Sequence, residues 1–242
     1  VISGPAISLA ATVIPNFGKA DNCLEQNHPF CWSWFSSHWG DTFQPALIQH
    51  IVLTLIAVAI GFVIALALAL LARSRGWLTT PIIGVTSLLY TIPSLALFEI
   101  LIPITGLTRL TIEIALVSYT LLILFRNISI GLNEVPAEVR EAARGMGFNS
   151  RQILWRVEFP LALPAIIAGV RTATVTVISL ATVAGLVIAQ GLGFPIFRGL
   201  QVDLATQYFA GGLVAVLLAL FADGLLVLAQ RFGTPWARTR RV

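Results

Sequence analysis

Glu141, Ala142, Ala143, Gly147 and Pro160 punctuate a polar, arginine-rich island, EAARGMGFNSRQILWRVEFP, set between long apolar runs. These residue types do not make a catalytic set. A carboxylate, paired alanines and a glycine turn suit close docking against another protein. Two carboxylates, Glu99 and Asp223, fall inside apolar runs, where ionisable groups are candidates for substrate or ion contact. Glu99 has the charge to attract a quaternary ammonium group, or it pairs with a neighbour. Asp223 is expected to pair with another helix or subunit, and Arg171 to pair or snorkel. Tyr90, Thr91, Pro93 and Ser94 sit at a proline kink. There they either line an aqueous path or pack helices together.

Other chemistry is thinly represented. Cys23 and Cys31 lie eight residues apart and either form a disulfide or remain free thiols. His28 stands between them, but the ligand set is too poor for a metal, and none is expected. With His38 and His50 the histidines form no Ser/His/Asp arrangement for hydrolysis. No GxxxxGK[ST] phosphate loop is present, so the chain offers no cradle for a nucleotide.

The elements that must position these residues are membrane helices. Hydrophobic residues make up 57% of the chain and charged residues only 11%, against about 25% charged in soluble domains. Five runs are long enough to cross the bilayer: 47–72, 81–104, 110–132, 161–189 and 208–230. They lack the alternation of barrel strands. Residues 1–17 are apolar but short, and read as a span truncated at its start or as an interfacial piece. The fold class is therefore all-α integral membrane, with five to six transmembrane helices.

Arginines set the orientation. Arg73, Arg75, Arg140, Arg144, Arg151, Arg156, Arg231, Arg238, Arg240 and Arg241 fall on one side. Only Lys19, Arg109 and Arg198 fall on the other. The arginine-rich side is expected to be cytoplasmic, with the C-terminus inside. Residues 18–46 are then an extracytoplasmic loop, in which Trp32, Trp34, Phe35, Trp39 and Phe43 cluster. Those aromatics suit the membrane interface, or cation–π attraction of a cationic substrate. The net charge of +4 follows from this topology and does not imply nucleic acid.

Within the island, Pro136 suits the first turn of a helix. Val139, Ala142, Ala143 and Met146 make a narrow apolar stripe at i, i+3, i+4, i+7. Gly145 and Gly147 are expected to end that helix. Asn149 with Gln152 reads as a capping box for a second short helix, and Pro160 marks the turn into the next span. Alanines on the apolar face suit a protein partner better than lipid, whose surface helices carry bulky side chains.

This island resembles the EAA loop of bacterial ATP-binding-cassette importer permeases: Glu-Ala-Ala, three residues, Gly, nine residues, Ile-x-Leu-Pro. Glu141, Ala142, Ala143, Gly147 and Pro160 occupy the matching positions, with Val157 and Phe159 in place of Ile and Leu. Tyr90-Thr-Ile-Pro-Ser-Leu-Ala-Leu97, Arg126-Asn127, Gly169-Val-Arg-Thr-Ala173 and Gly191-Leu-Gly193 are similar to permeases of glycine betaine, carnitine and choline importers. The resemblance covers about residues 47–230. It implies a type I importer fold with a permease domain at 47–230 and a cytoplasmic coupling loop at 134–160; outside it, hydropathy and charge alone mark an N-terminal apolar segment and extracytoplasmic loop at 1–46 and a basic cytoplasmic tail at 231–242.

The resemblance also implies partners. Two separate ATPase subunits would hold ATP and Mg and bind the island through Glu141, Ala142, Ala143 and Gly147, the permease itself binding no cofactor. A second permease subunit would complete the pathway, and an extracytoplasmic binding protein would deliver substrate. The location would be a prokaryotic plasma membrane, surrounded by lipid, and the substrate an osmoprotectant. A permease for amino acids or methionine is a second reading. An ion-coupled carrier, which would need intramembrane charges such as Glu99 and Asp223, is a third, and a membrane-embedded enzyme a fourth.

Overall fold

The computed structural model describes residues 22–238. The expectations for residues 1–17, and for Lys19, Arg240 and Arg241, lie outside the described residues. A short helix α1 (Asn22–Glu25) precedes α2 (Trp32–His38), which passes through a π-turn at Trp39–Phe43 into α3 (Gln44–Ser74). Residues 32–74 thus form one helical path of 43 residues. The region expected to be an outer loop is largely helix from Trp32 onward. Aromatic edge contacts explain the gain: Phe35 lies against Trp39 and Phe43, and Trp34 stacks on His38.

Next come α4 (Thr79–Thr91), α5 (Ser94–Thr105) and α6 (Arg109–Asn133). The island follows as α7 (Ala137–Gly145) and α8 (Ser150–Ile153), then a π-turn at Leu154–Glu158 and α9 (Phe159–Ala184). The chain closes with α10 (Gly193–Gln201) and α11 (Ala205–Gly233). Among the described residues, four helical paths are long and apolar enough to cross a membrane, with α4 and α5 as a fifth, broken span.

The kink expected at Pro93 within the run 81–104 is a full break: α4 and α5 meet at 96°. Pro93 supplies no N–H and forces the residue before it out of the helical region. Ile92 accordingly takes an extended ψ of 128°. Its carbonyl, released from helical bonding, accepts the Tyr119 hydroxyl at 2.6 Å from α6.

Helix α6 lies at the centre. Two apolar clusters stack along it. One joins Leu53, Phe98, Ile112, Leu116, Tyr119 and Val177. The other joins Ala69, Leu124, Phe125, Ile128, Ala162 and Ile166 at the arginine-rich end. In lipid, close helix contact depends on small residues at the seam. A Cβ at Gly169 would meet Asn127, one at Gly131 would meet Ala162 and Ala165, and one at Gly61 would meet Thr120. The glycine of the Gly-Val-Arg-Thr-Ala segment is thus where α9 passes over Asn127.

At the opposite end α9 stops at Ala184, short of the expected Ala189. Gly185 lies backbone-to-backbone against Gly193 and Phe194, and Gly193 lies against the Thr182 carbonyl. A side chain at either glycine would separate the turn from the bundle. Gly185→Val should therefore lower stability by about 3 kcal/mol, the upper range of overpacking. Gly224→Ala, which meets nothing within 4 Å, should be neutral. Thermal unfolding of both variants in detergent micelles checks this; equal melting temperatures would contradict it.

Candidate functional site

The island begins where Pro136 starts α7, with Val135 buried behind it. At the other end of α7, Gly147 has φ +84°. Its N–H donates to the Arg144 carbonyl at 2.9 Å, and the Phe148 N–H donates to Ala143 at 3.1 Å. This is a Schellman stop, and glycine takes the left-handed position without steric cost. Asn149 and Gln152 then form a reciprocal capping box, each bond 2.9 Å.

The expected apolar stripe on α7 divides. Ala143 is 1% exposed and faces its own bundle, whereas Met146 is 69% exposed. Ala142 and Glu141 are exposed as well. The bundle thus claims one alanine and leaves a carboxylate, a small side chain and a flexible thioether outward.

Pro160 does not turn the chain. Residues 150–184 form one continuous helical path, with Pro160 just inside α9. The wider π-turn at Leu154–Glu158 immediately precedes it. A proline in a regular helix clashes with the carbonyl four residues back, and a wider turn eases that contact. The second half of the island, from Ser150, is therefore continuous with α9.

A second attachment was not visible from local sequence. Glu158, fully buried in the π-turn, accepts a 2.6 Å hydrogen bond from Arg73 at the end of α3. Its second carboxylate oxygen has no hydrogen-bond partner among the described residues. Arg73 thus ties the island to α3 across 85 positions of sequence.

Within the spans, Arg171 makes a two-pronged ion pair with Asp223, at 2.9 and 3.0 Å, and reaches Gln230 at 3.4 Å. The Gln230 amide in turn donates to the Pro164 carbonyl at 3.1 Å. The pair expected for Asp223 is therefore made to α9 within this chain. Tyr90, Thr91, Pro93 and Ser94 gather at the α4–α5 break, and all but Ser94 are exposed. The Tyr90 ring meets the Tyr119 ring edge-on at 6.0 Å. Glu99 is exposed on α5, away from these hydroxyls by more than a turn of helix.

At the far end, His50 lies fully buried inside α3. Its Nε2 donates to the Ile178 carbonyl at 3.1 Å, and its Nδ1 accepts from the Leu192 N–H at 3.2 Å. Gln49 accepts from the Gly191 N–H at 3.1 Å. Cys23 and Cys31 are joined as a disulfide. The loop they close docks on α11: Asn27 accepts from the Ala205 N–H at 2.8 Å, and the His28 carbonyl accepts from the Thr206 hydroxyl at 2.9 Å.

Residues 57–232 match the family model described as "Binding-protein-dependent transport system inner membrane component". The chain is 38% identical over 192 residues to the osmoprotectant import permease protein OsmW of Salmonella typhimurium, covering 77% of this chain and 89% of that protein. It is 36% identical over 188 residues to the choline transport system permease protein OpuBB of Bacillus subtilis, covering 77% and 86%. With the glycine betaine/carnitine/choline permease OpuCB of the same organism it shares 35% identity over 190 residues, covering 77% and 86%. The fold is similar to a chain of the MetNI methionine ABC transporter in an inward-facing conformation, with a TM-score of 0.68 at 21% identity, covering 77% and 93%.

Removing either partner of the Arg73–Glu158 pair should have unequal effects. Arg73→Ala leaves a fully buried carboxylate uncompensated and should cost about 3 kcal/mol. Glu158→Gln should cost less, because the Arg73 side chain is 30% exposed and can reach water. Denaturant unfolding in micelles checks the order; a larger loss for Glu158→Gln would contradict it.

Proposed function

The chain belongs to the inner-membrane components of binding-protein-dependent transport systems, and on that premise we propose that it carries quaternary-ammonium osmoprotectants such as glycine betaine, choline and carnitine. As a permease subunit of an ATP-driven importer it spans the inner membrane several times and leaves ATP hydrolysis to a partner. The substrate class is supported by relatives named for these compounds, aligned over about three quarters of the chain.

The observation that carries the coupling role is the outward face of α7. Glu141 and Ala142 project from the bundle beside a glycine-stopped helix end. In this reading the arginine-rich end is cytoplasmic, residues 22–46 lie outside, and ATPase subunits holding ATP and Mg seat Glu141, Ala142 and Met146 in a groove. Ala143 anchors the helix to the permease instead. Gly147 permits the turn, and Pro160 begins the shaft that carries motion onward. The continuous path 150–184 and the Arg73–Glu158 pair would deliver that motion to α9 and α3 together. A second permease subunit, identical or different, would face the α4–α5 break. Tyr90, Thr91, Pro93, Ser94 and Glu99 would then line the route between the two.

An ion-coupled carrier is the weaker reading on geometry as well. Asp223, one of its two candidate ion ligands, is already held by Arg171.

The test is ATP hydrolysis in liposomes by the assembled permease, ATPase and binding protein. Glycine betaine, choline or carnitine should stimulate hydrolysis, and an amino acid should not. Stimulation by the amino acid alone would overturn the substrate class. Gly147→Val places a β-branched residue at positive φ, and Glu141→Arg reverses the exposed charge. Each should lower stimulated hydrolysis by about tenfold or more, the size of a lost interface anchor, while the protein remains inserted. Normal uptake by both variants would overturn the coupling assignment.

A further inference from the structure

We infer that this permease holds a small zwitterion of its own, in an outer cavity between the aromatic α2–α3 segment and the turn into α10; the inference rests on the substrate class proposed above. The cavity has a volume of about 490 Å³ and is lined by Trp34, His38, Asp41, Gln49, Arg198 and Gln207, among others. That size falls in the range of roughly 300–1,000 Å³ typical of small-molecule sites.

The charges are the informative part. Asp41 and Arg198 line the same cavity, yet they form no ion pair with each other or with any other described residue. Both side chains are exposed, so the cavity presents one unpaired charge of each sign to a ligand entering it. Gln207 is 8% exposed, and its side-chain amide makes no hydrogen bond among the described residues. Gln207 lines the cavity, where its amide is open to a ligand or water.

Each feature matches one part of a trimethylammonium carboxylate. Arg198 presents a planar fork that binds a carboxylate through two parallel bonds. Asp41 supplies the counter-charge for the ammonium. Trp34, its ring stacked on His38 with centroids 4.2 Å apart, adds the aromatic surface that attracts a weakly hydrated cation. The walls are held in place from several sides. His50 and Gln49 clamp the backbone at Gly191 and Leu192. The disulfide-closed loop grips the start of α11, which carries Gln207. The site therefore stands at the outer mouth of the permease, built by a segment that precedes the family-matched region and by one inside it.

The test uses the permease–ATPase complex in nanodiscs without binding protein, with radiolabelled glycine betaine and choline as probes. Saturable binding of glycine betaine is expected. Arg198→Gln should weaken glycine betaine about tenfold and leave choline, which has no carboxylate, unchanged. Asp41→Asn should weaken both. A merely structural role for Arg198 would move both ligands together, and that result would overturn the site. Uptake is measured in parallel with the binding protein present. Uptake of these compounds without saturable binding to the complex contradicts the cavity site alone. Absence of uptake of any quaternary amine contradicts the substrate reading and takes the site with it.

Discussion

No backbone polar group can remain unpaired in hydrocarbon, and two departures from straight helix in this bundle are organised by that constraint. Where Pro93 breaks the fold's second span, the Tyr119 hydroxyl meets the orphaned Ile92 carbonyl. Where α9 ends, His50 and Gln49 meet the amides of Leu192 and Gly191. In both places the partner comes from a different helix. The breaks are therefore also tertiary fastenings, and they fix which helices can be neighbours. Irregular backbone at membrane depth persists only where protein or a water-filled path surrounds it, so the α4–α5 break marks the region where a transport route is expected.

The charged contacts obey the same logic at greater cost. Arg171 and Asp223 satisfy each other inside the spans, and Gln230 extends the pair to the α9 backbone through Pro164. Arg73 and Glu158 do so at the arginine-rich end. Breaking the Arg73–Glu158 pair strands a fully buried carboxylate, whereas the more exposed Arg171–Asp223 pair is held by its two-pronged geometry. One link holds α9 to α11 and the other holds α9's leading turn to α3. The second half of the island, continuous with α9 from Ser150, is thereby connected to three spans, and α7 joins it through the Gly147 turn.

Local features of the island were legible in the sequence because their physics is local. Asn149 and Gln152 announce a capping box, and Gly147 a left-handed stop, within three or four residues. Span positions were legible for the same reason, to within a few residues at most ends. Pairings were not. Arg73 and Glu158, or His50 and Leu192, meet only after the helices pack, and lipid-facing and core-facing positions are equally apolar. Hydropathy therefore could not say that Ala143 turns inward while Ala142 turns out. The right-angle break was foreshadowed by Pro93 as a kink, but the Tyr119 hydroxyl that fastens it lies 27 positions from Ile92. Pro160 misled because a proline ordinarily ends a helix, whereas the π-turn before it lets the helix continue.

The claim on which the account turns is that the outward face of α7 seats the ATPase. Both native cysteines are bonded to each other and no free cysteine is present among the described residues, so single introduced cysteines can report position. Cross-linking would be measured between the ATPase subunit and permeases carrying Ala142→Cys, Met146→Cys or Ala143→Cys. The account predicts adducts from the exposed positions 142 and 146 and little from the buried position 143. Equal labelling at all three, or adducts from 143 alone, would contradict it.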